Sequence, residues 1–314
     1  MLQRIWQKLS KPAGASKSFR VFYLVGTKVI LLSGSFKAGQ LHCECTEHVL
    51  ADNVFPDNLL PLLAMQPAGS DVAMVLDAQR YQLLPLDKPK LSAEEIVQAL
   101  PWLIKDICNL APDDMQLDYL DIPGSPATPR INIVVTSKSA LQQLCKDLLK
   151  HKLTPKLIAP QEWLTMELMP ADALTRLLLL QQAGQPMQVQ VIREGQLCFS
   201  RQLRGFDQFS DTSIEQLQYG LLDNLLLEMQ RSMDFVESQL KLPPVREMLL
   251  MLAHPQLDEV VTLFKKTGFN QAKAIQLPAA LEWASSLNAI TCWPAIAAMH
   301  QLAFAKEPKH EAAG

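Results

Sequence analysis

The chain has 314 residues, a formal net charge of −3 at neutral pH, and 48% hydrophobic against 19% charged residues. This length suits one large two-lobed unit or two modest domains with a real core, and the low charge excludes a disordered protein. The slightly acidic balance also excludes nucleic acid as a default partner, because phosphate binding needs a concentrated basic surface.

The cysteines and the apolar runs predict the cellular compartment of the protein. The six cysteines are scattered through apolar segments without paired spacing, which is typical of buried thiols in a reducing environment. The N-terminus has no signal-peptide pattern, and no apolar run approaches the roughly 20 residues that span a bilayer. These observations predict a cytoplasmic protein.

Residues 1–18 predict a short basic amphipathic helix. The residues on its apolar face are Leu2, Ile5, Trp6 and Leu9. A helix of this kind can lie on the inner leaflet of a membrane, so these four are candidate membrane contacts. The alternative is a terminal helix packed on the body, or a frayed tail.

Two pairs of strands are predicted in the next part of the chain. Residues 19–33 are rich in β-branched and aromatic side chains and are broken at Gly26, which predicts a buried hairpin. The apolar runs 72–76 and 81–86 predict a second strand pair, buried on both faces and joined by the polar residues 77–80.

A possible zinc site lies between these pairs, at His42, Cys43, Cys45 and His48. Because side chains alternate faces along a strand, the two thiols point together while His42 points away. The two-residue gap typical of zinc-binding cysteines is absent. The segment therefore predicts buried thiols rather than a metal site.

Residues 91–123 predict a capped helix, a turn and a strand. Ser92 and Glu95 have the spacing of a capping box, and Pro101 is expected to kink the helix. The predicted apolar face of this helix is Ile96, Leu100, Leu103, Ile104 and Ile107. The alternation of Met115, Leu117 and Tyr119 then predicts a strand.

A small α+β unit is predicted over residues 91–159. After the first helix and strand come a strand at 131–136, a helix capped by Ser137 or Ser139, and a strand at 153–158. Pro155 favours an edge position for the last strand, because proline cannot donate a ladder hydrogen bond.

This unit resembles the PilM-like family of bacterial pilus assembly proteins. The resemblance is carried by Ala-Leu-Pro-Trp at 99–102, Lys-Asp at 105–106, Asp-Tyr at 118–119 and Asp-Ile-Pro at 121–123, with support from residues 74–89 and 225–238. It covers roughly residues 19–284. It implies an α/β, actin-like (ribonuclease H-like) two-lobed fold with an inserted small α+β subdomain.

The resemblance and the element pattern together divide the chain into five parts. They are an N-terminal amphipathic segment (1–18), the first part of the first lobe (19–90), the inserted subdomain (91–159), the second lobe with the return to the first (160–305) and a disordered tail (306–314).

Nucleotide-binding proteins of this fold carry two Asp-x-Gly phosphate loops. The resemblance places the first aspartate near Val21 and the second between Gln181 and Gly184, and neither place holds an acid. The turn expected to be Gly-Gly is Ala-His-Pro at 253–255, where His254 has no catalytic partner in sequence. Without carboxylates to hold Mg²⁺, we assign no catalytic, cofactor-binding or metal residues, and MgATP binding is disfavoured.

The resemblance implies a non-catalytic cytoplasmic scaffold for a type IV pilus of the MSHA class, peripheral to the inner membrane. The implied partner is the cytoplasmic tail of a bitopic inner-membrane protein, the PilN-like component MshJ, alongside other pilus assembly proteins. An extended tail is expected to add a strand beside the inserted subdomain. The candidate contact residues are Leu117, Tyr119, Ile131, Ile133 and Val135.

Three alternatives stay open. The first is a PilM-like switch that binds ATP, and the second is a cytoplasmic type II secretion component similar to GspL. The third is a small-molecule kinase, because one fold hosts many functions.

Overall fold

The computed structural model describes residues 18–37, 40–51, 54–123, 129–181, 186–277, 281–283 and 287–304. In chain order the strands are β1 (Phe19–Val25), β2 (Lys28–Lys37), β3 (Gln40–Val49), β4 (Asp71–Leu76), β5 (Gln82–Asp87), β6 (Met115–Ile122), β7 (Arg130–Ser137), β8 (Thr154–Pro160), β9 (Arg176–Gln181), β10 (Met187–Arg193), β11 (Gln196–Leu203), β12 (Glu247–Leu252), β13 (Ala272–Ala274) and β14 (Leu281–Trp283). The α-helices are α1 (Leu60–Ala64), α2 (Ala93–Leu103), α3 (Lys138–Lys150), α4 (Gln161–Thr165), α5 (Ile214–Gln216), α6 (Leu222–Ser238), α7 (Leu257–Lys266) and α8 (Trp293–Phe304).

The described strands form three sheets. The six-stranded sheet of the first lobe has the order β14-β3-β2-β1-β4-β8, and the five-stranded sheet of the second lobe has the order β11-β10-β9-β12-β13. A three-stranded sheet, β5-β7-β6, forms the core of the inserted subdomain. One apolar cluster contains Phe22 of the first sheet and Leu178 and Met251 of the second, so the two lobes share a core.

The first lobe confirms the predicted hairpin. β1 pairs with β2 in antiparallel register, and the turn at Gly26 has φ +59°, a conformation that favours glycine. β1 also pairs in parallel with β4, and β4 with β8. Helix α8 covers one face of this sheet with a run of small apolar side chains that includes Ala295 and Ala298.

Two predicted strand placements are wrong. β4 and β5 do not pair with each other, because β4 lies between β1 and β8 while β5 pairs with β7 in the small sheet. The strand after α3, predicted inside the small unit, is β8 and belongs to the six-stranded sheet. Apolar runs predict that strands exist but not which strands they pair with. Pro155 does lie at an edge, as predicted.

In the inserted subdomain, helix α2 packs on one face of the small sheet. The predicted capping box between Ser92 and Glu95 is present, and Ile96 and Leu100 are fully buried. The predicted helix was too long: α2 ends at Leu103, just after Pro101, which leaves Leu103 and Ile107 exposed. The alternation of β6 is confirmed, since its odd-numbered residues from 115 to 119 are buried against α2.

The second lobe carries α6 and α7 on one face of its sheet. A glycine breaks the approach to α6, because Gly220 has φ +96° inside a π-helical turn between α5 and α6. α5 and α6 are therefore not one continuous helix, and the capping box of α5 is formed by Ser213 and Gln216.

Arg176, at the start of β9, holds two carboxylates of the second lobe. Its Nη atoms donate to Asp172 at 2.6 and 2.7 Å, and its Nε donates to Glu247 at 2.5 Å. The hydrogen bonds from Arg176 lower the pKa of Asp172 to about 2, below the value of about 3.9 for an unfolded chain.

This depressed pKa predicts a pH dependence of stability. A carboxyl group of this kind stabilises the fold above its unfolded pKa, and the contribution is lost as pH falls through the folded pKa. We expect Asp172→Asn to be less stable than the wild type near neutral pH, and the difference to shrink below about pH 4 and vanish below about pH 2. Urea denaturation across this range measures it, and a difference independent of pH would contradict the assignment.

The candidate membrane contacts Leu2, Ile5, Trp6 and Leu9 and the tail 306–314 lie outside the described residues. None of the helices that the structure describes has the length and apolarity required to cross a bilayer.

Candidate functional site

Two places in the molecule deserve comparison as functional sites: the cleft between the lobes, and a groove beside the inserted subdomain. In the cleft, the resemblance places the first phosphate loop on the hairpin of β1 and β2, whose turn is at Gly26. The backbone N–H of Gly26 donates to Asp77 Oδ2 at 2.6 Å, and Arg80 holds Asp77 Oδ1 at 2.5 Å and the Gly26 carbonyl at 3.0 Å. In a phosphate loop this amide points at the ligand, whereas here the Asp77 carboxylate already accepts its hydrogen bond.

The floor of the cleft is filled by side chains of both lobes. The hydroxyl of Tyr23 donates to Gln161 Oε1 at 2.8 Å. Gln181, where the resemblance places the second aspartate, donates to the Phe206 carbonyl at 2.6 Å and accepts from the Ser210 amide at 3.0 Å. The cavity that these glutamines and Tyr23 line has a volume of about 20 Å³, room for about one water molecule.

A buried carboxylate lies beside this floor. Glu162 of α4 is 3% exposed and accepts a hydrogen bond from the Tyr81 hydroxyl. Burial raises the pKa of Glu162, and burial together with this carboxylate raises the pKa of Tyr81. The pair is therefore a closed internal contact rather than an open acid directed at a ligand.

His254 is a turn residue, as the sequence predicts. It is 5% exposed, its Nδ1 accepts from the Gln256 amide at 3.0 Å, and its Nε2 lies 2.9 Å from the Thr212 carbonyl. An acceptor Nδ1 places the ring proton on Nε2, which donates to that carbonyl. Both nitrogens are used by backbone, so the ring has no free position for catalysis.

The cysteines of β3 pack into the first-lobe core. Cys43 is fully buried, and Cys45 Sγ lies 3.6 Å from Cys292 Sγ. Among the residues that the structure describes, no group of three or more His, Cys, Asp or Glu side chains is arranged to hold a metal ion.

The second place is an open groove of about 520 Å³, a volume within the range of ligand pockets. We call it the β6–β8 groove. Its sheet wall comes from β6 and β7, its helical wall from α3, and its floor from the ends of β4 and β8. The residues that line it are Leu76, Gln116, Leu117, Asp118, Val134, Thr136, Lys138, Leu141, Gln142, Cys145, Lys146, Ile158, Ala159 and Pro160.

Two sheet edges border the β6–β8 groove. Among the described strands, β6 is an edge of the three-stranded sheet and β8 an edge of the six-stranded sheet. An edge strand presents unpaired backbone N–H and C=O groups, which can pair with another chain. The groove therefore combines backbone pairing sites with apolar side chains such as Leu141 and Ile158.

The charges of the groove are unevenly placed. Asp118 lies on the sheet wall, and Lys138 and Lys146 lie on the helical wall. Burial raises the pKa of Asp118, and burial also raises the pKa of Cys145. A half-buried carboxylate among apolar side chains is the kind of group that a bound partner can stabilise.

The five predicted contact residues are placed differently from the prediction. Their side chains are buried in one cluster between the small sheet and α2, with exposures of 6% or less: Leu117, Tyr119, Ile131, Ile133 and Val135. β7 is also paired on both sides, with β5 and with β6, so it cannot accept a further strand. β7 is therefore not the free strand that the prediction required, because apolar alternation predicts the core face of a sheet but not which strand lies at its edge.

The other face of β6 holds the polar groups that sequence reasoning did not select. Gln116 and Asp118 alternate with the buried residues and line the groove, and Leu117 also borders it. Polar residues at alternate positions of a strand were the available signal, but they are equally typical of an ordinary solvated face.

Comparisons with known proteins show the fold. Neither a protein-family model nor a curated protein matches the chain. A chain of the PilM–PilN type IV pilus biogenesis complex is 13% identical, with a TM-score of 0.65 over 93% of this chain and 99% of that one. The cytoplasmic domain of EpsL, an inner membrane component of the Vibrio cholerae type II secretion system, is 14% identical, with a TM-score of 0.50 over 90% and 95%. The chain thus has an actin-like α/β fold, as the resemblance implies.

Proposed function

We propose that the chain is a non-catalytic cytoplasmic scaffold for assembly of a type IV pilus of the MSHA class, the counterpart of the protein MshI. It holds the cytoplasmic tail of a PilN-like inner-membrane protein, MshJ in that class, in the β6–β8 groove. The observation that carries the proposal is this groove, lined by apolar side chains and bordered by two edge strands. The likeness to a chain of the PilM–PilN complex supports the kind of partner.

The groove suits an extended peptide. A strand added to β6 or β8 would form backbone hydrogen bonds, which give affinity without regard to sequence. Alternate side chains of the peptide would then contact Leu141 and Cys145 on one wall and Val134 on the other, which gives specificity. This replaces the contact residues predicted from sequence with the opposite face of the same small sheet.

The cleft supports a scaffold rather than an ATP-dependent switch. Gly26 already donates to Asp77, and the cavity at Tyr23 and Gln161 has a volume of about 20 Å³, whereas ligand sites typically occupy about 300–1,000 Å³. Gln181 holds the segment around Ser210 instead of a hydrated Mg²⁺. These contacts are the basis for proposing a degenerate nucleotide site.

The test is a titration of the PilN-like tail peptide into the full chain, with and without MgATP. We expect saturable binding that MgATP does not change, and no rise in melting temperature with MgATP alone, because only a ligand that binds the native state stabilises it. A melting-temperature rise with MgATP, or tail binding that depends on it, would favour the ATP-binding switch. Absence of tail binding would remove the scaffold proposal.

A second candidate is a cytoplasmic component of a type II secretion system similar to GspL, which the likeness to the EpsL cytoplasmic domain favours. A competition between the pilus tail peptide and peptides from type II secretion partners separates the two.

We further propose a location peripheral to the inner membrane, with contact through Leu2, Ile5, Trp6 and Leu9. Vesicle flotation of the chain with these residues replaced by serine tests that contact.

A further inference from the structure

We infer that Asp118 selects the occupant of the β6–β8 groove, which is an extended tail segment that pairs a lysine or arginine side chain with this carboxylate. The inference rests on the proposed function, since it names the chemistry by which the groove recognises the tail. It assigns the role of a specificity-determining residue to one side chain of the sheet wall.

The two oxygens of Asp118 have different surroundings. Oδ1 accepts a hydrogen bond from the Tyr119 amide at 2.8 Å. Oδ2 is buried and has no hydrogen-bond partner among the described residues. Leaving a buried charged acceptor unpaired costs stability, and such groups are rare in folded proteins. A donor on the occupant of the groove would satisfy this oxygen.

A second carboxylate on β6 provides a comparison with Asp118. Asp121, also on β6, pairs with Lys88 at 2.5 Å and is 57% exposed at its side chain. No salt bridge of the described residues reaches Asp118, although Lys138 and Lys146 line the same groove. Among the residues that the structure describes, a lysine thus pairs with the exposed carboxylate of this strand, and none pairs with the half-buried one.

The walls of the groove orient the occupant. The helical wall carries Lys138 and Lys146, so a cation of the occupant is favoured only toward the sheet wall, where Asp118 lies. Cytoplasmic segments that flank a membrane helix are enriched in lysine and arginine. A tail of this composition supplies the donor that Asp118 lacks, while its neutral or acidic side chains face α3.

The test uses the full chain and a synthetic peptide of the PilN-like tail. We expect Asp118→Asn to weaken tail binding about tenfold or more, as for loss of a charge-assisted hydrogen bond. Asp121→Asn, the matched control on the same strand, should change it less than about twofold. In a series of peptides, each lysine or arginine is changed to glutamine in turn. One of these changes should weaken binding to the wild type but not to Asp118→Asn, which is the signature of a direct pair.

The melting temperature of the free Asp118→Asn variant separates a role of Asp118 in recognition from a role in folding stability. Because Asp118→Asn removes an unpaired buried charge and keeps an acceptor for the Tyr119 amide, the free variant should melt at or above the wild-type temperature. The inference would be overturned if Asp118→Asn bound the tail with wild-type affinity, or if the loss from every peptide change added to the loss from Asp118→Asn. Either result would leave the scaffold proposal standing. A wild-type chain that binds no tail removes both.

Discussion

Replacing Cys145 with tryptophan is expected to abolish binding of the PilN-like tail, with a loss of affinity of about 100-fold or more. Cys145 is a half-buried residue of α3 (Lys138–Lys150), and its side chain lines the β6–β8 groove opposite β6. An indole ring at this position would occupy the space that the tail needs. Isothermal titration of the tail peptide into each variant measures the effect.

Leu149→Trp provides the matched control, because Leu149 lies on the same helix, is 60% exposed and does not line the groove. We expect this variant to bind the tail like the wild type. In the unmodified chain, bound tail should also protect Cys145 from alkylation while Cys108, whose Sγ donates to Gln82 outside the groove, reacts at an unchanged rate. Full affinity in Cys145→Trp would show that the tail binds elsewhere.

The second large effect concerns the cleft, where Asp77→Ala is expected to lower the free energy of unfolding by about 3–5 kcal/mol. The substitution removes the acceptor of the Gly26 amide and leaves Arg80, whose side chain is 13% exposed, without its carboxylate. An uncompensated buried charge accounts for most of such a loss. Urea denaturation of the wild type and the variant measures it.

Two further variants locate the cause of that loss. Asp77→Ala combined with Arg80→Ala should recover part of the stability, because the unpaired charge is then gone. Asp87→Ala, which removes a 90% exposed carboxylate beside Arg130, should change the free energy by less than about 1 kcal/mol. If the double variant is less stable than Asp77→Ala, the stability resides in the other contacts of Arg80, with the Gly26 carbonyl and the Phe55 ring, rather than in charge pairing.

Short-range features of this protein were predictable from sequence. The capping box of Ser92 and Glu95, the hairpin turn at Gly26 and the alternation of Met115, Leu117 and Tyr119 are all present. Each depends on residues a few positions apart, whose spacing follows from the geometry of one helical turn or one strand. Local patterns of this kind therefore carry reliable information about element type.

The contacts between distant residues were not predictable in the same way. Asp77 meets Gly26 across 51 positions of sequence, and Tyr81 meets Glu162 across 81. The sequence around Gly26 contains no acid, yet the fold brings one to its amide. Such pairs arise only when β4 lies beside β1 and α4 follows β8, which is a matter of sheet order.

By itself, the sequence determined which segments become helices and strands, and that no acid stands at the two expected phosphate-loop positions. Only the tertiary structure decided that β7 is central and that β6 and β8 are edges among the described strands. It also decided that Asp118 faces a groove while Tyr119 packs against α2 (Ala93–Leu103). The physical reason is that alternation along a strand defines two faces and two edges, but what covers each of them depends on parts of the chain far away in sequence.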